Sequence, residues 1–210
     1  TQKARSNRRG GGVCMYIDTK FMYKDRTDLS FSNDCIDTLF IEVKQTHSKN
    51  IIVGVVYKAP NSDAIEFNNM LESCITEITK ENKPCYILGD FNFDLFKYSS
   101  HPATGDFLSI MYEHCFRPLI TKPTRITSYS YTCIDNIFTN VTDKSITPGI
   151  LFSDLTDHLP IFHITSLHNP QDIHSPKRPV KPASKKIIIN DLIRELYSAD
   201  WSDIDKCEDP

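Results

Sequence analysis

The sequence predicts an α+β fold, a layered α/β sandwich in which helices flank β-sheets. Two observations support this class: apolar, β-branched runs outnumber amphipathic helical segments, and several of these runs follow one another with no helix between them. A doubly wound parallel sheet would instead require strands and helices to alternate along the chain. The order of the elements therefore favours the sandwich.

Six apolar runs have the length and the β-branched or aromatic content of strands. Each is bounded by polar or turn-forming residues, which limits it to strand length. The predicted strands are 13–17, 38–43, 51–57, 85–88, 134–138 and 159–164.

Two segments are predicted as amphipathic helices, 64–79 and 104–114. Asp63 and Glu66 resemble a capping box at the start of the first helix, and its apolar residues recur at three- and four-residue spacing. The second helix follows Thr104 and presents one apolar face, formed by Phe107, Leu108, Met111 and Tyr112.

The composition is that of a soluble globular protein, with 40% hydrophobic and 24% charged residues among 210. The sequence contains neither an apolar run of the roughly 18 residues that cross a membrane nor a secretory signal. The net charge of −3 does not indicate a nucleic-acid binder, although basic runs lie at 3–9 and 177–186. Such runs are expected to be solvated tails.

Seven cysteines are scattered along the chain without a C-x-x-C pair. Their odd number and their positions within apolar runs favour free, buried thiols in a reducing compartment over a disulfide framework or a zinc site. An intracellular, unsecreted protein is therefore expected.

The amino-acid composition of the sequence changes near residue 166. We predict a basic N-terminal remnant over 1–9, a folded domain over 10–165, a linker rich in Pro, Lys and Ser over 166–188, and a helical segment over 189–210.

Polar residues follow the apolar run "YIL" in the stretch "YILGDFNFDL". Because side chains alternate along a strand, Asp90 and Asn92 project to the same side. Residues at strand ends often carry chemistry, but a Gly-Asp-x-Asn stretch is also typical of a structural turn. This stretch alone leaves both interpretations open.

Two further segments favour a functional site. Asp135 lies in an apolar strand, where a carboxylate is costly without a partner, and Asp157 and His158 directly precede another strand. An aspartate that pairs with the histidine would fix its tautomer and raise its basicity, which suits activation or orientation at a phosphate. Tyr57, at the end of its strand, is either a further site residue or a tyrosine at the core edge.

Five stretches in order, "GVVYKAPNS", "YILGDFNFDL", "LITKPTRIT", "SYTCIDNIFTN" and "LTDHLPIF", closely resemble the endonuclease/exonuclease/phosphatase superfamily. More narrowly, they resemble the apurinic-type endonuclease domain of LINE-like (non-LTR) retrotransposons, as does the glycine-rich stretch "RGGGVCMYI". The resemblance covers residues 9 to about 164, and the tail is loosely similar to the segment that leads to a reverse transcriptase. It implies two packed mixed or antiparallel sheets flanked by helices.

The resemblance also implies roles for individual residues. Asp90 would orient or deprotonate the attacking water, Asn92 and Tyr57 would hold the scissile phosphate, and Asp135 would pair with His158 at that phosphate. The expected cofactor is Mg²⁺ or Mn²⁺, with Asp157 and Asp90 as its ligands. Weaker candidates for substrate binding are Thr124, Arg125 and Asn136.

One departure from the family pattern concerns the start of the chain. The family begins with an Asn-bearing strand and a Glu that is its principal metal ligand, and nothing before "RGGG" supplies either residue. Glu42 falls too late in the order to replace that ligand. We therefore expect a partial domain that lacks its first strands and belongs to a longer polyprotein or an incomplete gene prediction, with low stability and little activity as 210 residues.

The leading hypothesis is a divalent-metal-dependent DNA endonuclease that nicks target DNA for retrotransposition, acts in the nucleus and neighbours a reverse transcriptase in the same polyprotein. A phosphatase or phospholipid phosphodiesterase of the same fold is one alternative. A catalytically dead retrotransposon relic is the other.

Overall fold

A computed structural model describes residues 2–3, 11–46, 48–142, 146–153 and 155–165, together with Arg194 and Ser198. The chain divides into two compact units, Thr1–Asp172 and Ile173–Pro210. The predicted linker and nearly all of the predicted C-terminal helical segment lie outside the described residues, as does most of the N-terminal remnant. The domain boundaries predicted from the sequence therefore stay predictions.

The described residues of the first unit form two α-helices and strands of two to eight residues, which confirms the α+β class. The elements in chain order are β1 (Gln2–Lys3), β2 (Val13–Cys14), β3 (Tyr23–Asp25), β4 (Ile36–Val43), β5 (Ile51–Lys58), α1 (Ala64–Lys80), β6 (Cys85–Asp90), α2 (Pro102–Glu113), β7 (Arg117–Pro118), β8 (Arg125–Ile126), β9 (Tyr131–Thr132), β10 (Asp135–Thr139), β11 (Thr147–Ile150) and β12 (Ile161–Ile164). A 3₁₀ turn at Leu95–Lys97 lies between β6 and α2.

A six-stranded mixed sheet forms the centre, in the order β3-β4-β5-β6-β10-β7. Adjacent strands in this sheet run antiparallel, with the exception of β5 and β6. These two strands are parallel, and α1 forms the crossover that connects them. Three two-stranded pairs, β1–β2, β8–β9 and β11–β12, accompany it.

Helix α1 begins where the sequence predicts and ends one residue later, at Lys80. The Asp63 side chain caps it by accepting the amides of Ile65 at 2.8 Å and Glu66 at 3.0 Å. Glu66, the second residue of the predicted capping box, has a partner other than the Asp63 backbone. Its carboxylate contacts the Cys35 thiol at 3.1 Å. The cap therefore rests on Asp63, and Glu66 ties the helix to the start of β4.

The core lies between the central sheet and the two helices. Phenylalanine rings from α1, α2, β10 and the loop after β6 contact one another with centroids 5.0–5.7 Å apart: Phe67, Phe91, Phe93, Phe107 and Phe138. All five side chains are buried. Each contributes about 1.5–3 kcal/mol through burial, so this cluster fixes the loop after β6 against the helices.

Two different strand pairs cover the opposite face of the sheet, one at each side. Strand β2 packs against β4 and β5, whereas β12 packs against β10. The intervening apolar residues Val53, Val55 and Leu88 are only partly buried. In the described part of the chain, the predicted second sheet is thus two separate strand pairs.

Six of the seven cysteines are described, and none of these forms a disulfide. Four are buried, as predicted, but Cys14 and Cys115 are exposed. Within the described ranges, no helix combines the length and apolar character that a membrane span requires.

A buried arginine joins the edge of the sheet to the end of α1. The Arg26 guanidinium contacts Asp28 at 2.6 Å, Glu81 at 2.5 Å and Glu42 at 3.4 Å, and Lys83 also reaches Glu42 and Glu81 at 2.6 Å. The hydrogen bond from Arg26 lowers the pKa of Asp28, and that from Lys83 lowers the pKa of Glu42. Glu42, ruled out as a metal ligand by its position in the sequence, has this structural role.

Replacing Arg26 by methionine should lower the free energy of unfolding by about 3–5 kcal/mol, because Glu42 would be left buried without one of its cations. Urea unfolding at pH 7 measures this change. The control is Lys80→Met, which removes an exposed ion pair with Glu77 and should change stability by less than about 1 kcal/mol. Equal effects of the two substitutions would contradict the structural role of Arg26.

Candidate active site

Two carboxylates stand side by side where β6 and β10 meet. Asp90 is the last residue of β6 and Asp135 the first of β10, and the antiparallel register places them directly opposite each other. Residues paired in this way project from the same face of a sheet. The carboxylates therefore share one environment although they are far apart in sequence.

A histidine completes the cluster from a third segment. His158 Nδ1 lies 3.0 Å from Asp135 Oδ2 and 3.2 Å from Oδ1. The backbone of His158 forms a bridge with Arg125 at β8, which brings the segment before β12 to the end of β10. This arrangement directs the second ring nitrogen, Nε2, away from Asp135.

Asp90, Asp135 and His158 each offer a ligand atom, and these atoms all lie within 4.8 Å of one another. Carboxylate oxygens with an imidazole nitrogen form a donor set that binds divalent cations. The residues present therefore fit a divalent metal ion.

Burial controls the electrostatics of the two carboxylates. Burial and, after it, the neighbouring charge of Asp135 raise the pKa of Asp90 to about 6. Burial also raises the pKa of Asp135, against the opposing effect of His158. A cation in this position would offset both costs.

The loop after β6 positions Asn92. Its backbone adopts a left-handed conformation with φ 49°, its amide donates to Asp90 Oδ1 at 3.0 Å, and its side-chain Nδ2 donates to the Lys58 carbonyl at 2.8 Å. Gly89 is required just before the site, because a Cβ there would lie 1.7 Å from the Val56 carbonyl oxygen. These contacts hold β6 tightly against β5.

Tyr57 stands beside Asp90 in the parallel register of β5 and β6 and is partly buried. The structure thus brings Tyr57, Asp90 and Asn92 to the same end of the sheet as Asp135 and His158.

Thr124 supports the site through the backbone of Asp135. Its side chain is fully buried, and its Oγ1 accepts the backbone amides of Ile134 at 3.2 Å and Asp135 at 3.0 Å. The geometry assigns Thr124 to the positioning of Asp135, a role that the sequence does not signal.

Asp157 lies outside the three-residue cluster. Its exposed carboxylate accepts a hydrogen bond from Arg125 Nε at 2.7 Å, which lowers the pKa of Asp157. Arg125 is itself partly exposed beside His158 and keeps its remaining N–H groups for other acceptors.

Asn136 is also absent from the cluster. It is fully buried on the face opposite Asp135, where Nδ2 donates to the Ile120 carbonyl at 2.8 Å and Oδ1 accepts the Ile120 amide at 3.2 Å. Its contacts are those of a structural residue that fixes the 119–121 segment to β10.

A cleft of about 450 Å³ opens over the site. Its floor is partly apolar, and its polar wall carries the three clustered residues. The lining residues are Val55, Leu88, Gly89, Asp90, Asp135, Thr156, His158, Leu159, Pro160 and Ile161.

Comparison with solved structures gives a likeness to the endonuclease domain of TRAS1, a telomere-specific non-LTR retrotransposon. The TM-score is 0.56 at 14% sequence identity, over 71% of this chain and 71% of that chain. This likeness confirms the predicted fold.

Two further structures align at lower scores. An endonuclease/exonuclease/phosphatase from Beutenbergia cavernae gives a TM-score of 0.44 at 13% identity, over 60% of this chain and 38% of that chain. A family protein from Leptotrichia buccalis gives 0.45 at 17% identity, over 61% of this chain and 52% of that chain. No protein-family model and no curated protein sequence matches the chain.

Asp90→Asn should stabilise the fold at pH 7.5 and have little effect near pH 4. The carboxyl titrates near its ordinary value of 3.8 in the unfolded chain and at about 6 in the folded chain, so protonation favours folding at low pH and this contribution is lost as pH rises through about 6. Partial exposure limits the gain at pH 7.5 to about 1–2 kcal/mol. Urea unfolding at both pH values measures it, and a variant less stable than the parent at pH 7.5 would contradict the electrostatic account.

Proposed function

We propose that this protein is a divalent-metal-dependent endonuclease that hydrolyses phosphodiester bonds in DNA. The observation that carries the proposal is the meeting of Asp90, Asp135 and His158, from three distant segments, within 4.8 Å. The fold shared with a retrotransposon endonuclease domain supports the choice of DNA as substrate. The proposal includes nicking of target DNA for retrotransposition.

Hydrolysis requires a water molecule to lose a proton while its oxygen attacks phosphorus. Asp90, at the end of β6 and opposite Asp135, would orient this water or accept its proton. The bond from phosphorus to the 3′ oxygen breaks, the leaving oxygen takes up a proton, and the products carry a 3′-hydroxyl and a 5′-phosphate.

Charge builds on the phosphate oxygens as the water attacks. Asp135 would accept a hydrogen bond from His158 Nδ1–H, which leaves Nε2 directed at the substrate, where an N–H would donate to a phosphate oxygen. Asn92 uses one Nδ2 hydrogen on the Lys58 carbonyl and retains the other for the phosphate. Tyr57 and Arg125 are the further groups that would contact the DNA backbone.

The carboxylates of Asp90 and Asp135 would hold the metal ion, for which we propose Mg²⁺ or Mn²⁺, and His158 beside them would serve the phosphate. When bound, such an ion supplies positive charge that stabilises the negative phosphate in the transition state. We propose Asp157 as an outer residue that orients Arg125 and joins the metal ligands only after releasing that guanidinium.

In the cell, the proposed endonuclease would act in the nucleus, next to a reverse transcriptase in the same polyprotein that extends the 3′-hydroxyl. This part of the proposal rests on the sequence resemblance.

His158→Ala should reduce nicking of supercoiled plasmid by about 10²–10⁴-fold, because the phosphate loses its hydrogen-bond donor. The measurement follows conversion to open circles at high protein concentration with Mg²⁺ or Mn²⁺. His114→Ala, at the end of α2 and remote from the cluster, is the matched control and should retain nicking.

Unchanged nicking in His158→Ala would remove this residue from the mechanism. Release of phosphate from a simple phosphomonoester by the parent chain, with no nicking of plasmid, would favour a phosphatase of the same fold. Absence of both activities would favour a catalytically dead relic.

Chelation with EDTA should abolish nicking, since the clustered carboxylates would lose the cation that offsets their charge. Addition of excess Mg²⁺ or Mn²⁺ should restore it, while Na⁺ at the same ionic strength serves as the control. Nicking that persists in EDTA would contradict a metal-dependent reaction.

A further inference from the structure

The proposed mechanism uses polar residues of β5, β6 and β10, and the same row of residues extends to one more strand, β4. Asp37 of β4 is paired with Tyr57 of β5, Tyr57 with Asp90 of β6, and Asp90 with Asp135 of β10. Because paired residues share a face, these four polar side chains form one row across four strands. Asp37 occupies the end of the row opposite Asp135 and His158.

Asp37 differs from the other members of the row in its burial. Its side chain is fully buried, and a buried carboxylate is costly unless polar groups compensate it. Oδ1 accepts a hydrogen bond from the Ser32 hydroxyl, and Oδ2 accepts the backbone amide of Gly12 at 3.1 Å. The second contact joins the sheet to a segment 25 residues earlier in the chain.

The segment that Asp37 holds is the glycine-rich stretch before β2. Gly11 and Gly12 have φ values of 86° and 103°, a region that side chains disfavour, so glycine is required for this path. Strand β2, which follows directly, packs against β4 and β5 on the site face. Without side chains, this backbone permits a close approach by a ligand.

We propose that Asp37 is a positioning residue of the DNA-binding site: it fixes the Gly11–Gly12 segment as the wall opposite His158, against which the DNA backbone lies. This inference rests on the proposed function. Three strand spacings, about 14 Å, separate the two ends of the row, so the wall contacts a nucleotide next to the one that is cleaved. Asp37 therefore contributes to DNA affinity and not to the chemical step.

The test compares the parent chain with Asp37→Asn, whose side chain offers Gly12 only a neutral amide oxygen in place of the stronger carboxylate acceptor. Ser32→Ala is the matched control, because it removes a different hydrogen bond to Asp37 and leaves the Gly12 contact in place. Dissociation constants for a fluorescein-labelled DNA duplex are measured by anisotropy in EDTA, and kcat and KM by nicking. Urea unfolding checks that each variant is folded.

We expect Asp37→Asn to weaken DNA binding roughly tenfold and to raise KM by the same factor, with kcat unchanged. Ser32→Ala should bind DNA like the parent. In the parent, added duplex should also slow amide hydrogen exchange at residues 11–14, a measurement that stays informative if Asp37→Asn does not fold.

Parent-like affinity of folded Asp37→Asn, or exchange at 11–14 that DNA does not slow, would overturn the positioning role. If His158→Ala still abolishes nicking in that case, the endonuclease proposal stands and only the role of Asp37 fails. A parent chain that neither binds nor nicks DNA would refute both.

Discussion

The placement of Asp90 directly opposite Asp135 is the constraint on which the rest of the site depends. Two partly buried carboxylates in one register position repel each other, and the fold compensates only in part. His158 and Thr124 hold Asp135, the amide of Asn92 holds one oxygen of Asp90, and burial still leaves Asp90 with a raised pKa. The remaining unfavourable energy is what a bound cation or a proton can relieve.

The hydrophobic core makes this cost tolerable. Phe91 and Phe93 alternate with Asp90 and Asn92 along the chain. The two phenylalanines anchor the loop in the aromatic cluster, and the two polar residues face the opposite side. Away from the site, Arg26 joins Glu42 of β4 to Glu81 at the end of α1. The scaffold is thus rigid on the helical face, and the site lies on the face that is less completely covered.

Alternation along strands explains both what the sequence predicted and what it did not. It predicts that Asp90 and Asn92 project to the same side, and the structure places Asp90 opposite Asp135. The apolar spacing predicts the end of α1 to within one residue. The same rule separates Asn136 from Asp135, since neighbours in a strand face opposite sides, and the structure buries Asn136 accordingly. The pairing of Asp157 with Arg125 and the support by Thr124 depend on contacts between distant segments, which a single sequence does not encode in any local pattern.

The parallel pairing of β5 with β6 has a consequence for the order of folding. Neighbouring antiparallel strands such as β4 and β5 pair across a short connection, whereas β5 and β6 pair across the longer connection that contains α1. Asp90 ends β6, and β10 pairs with β6 in turn. We therefore expect the repelling carboxylates to come together after the more local pairing of β4 with β5 has formed.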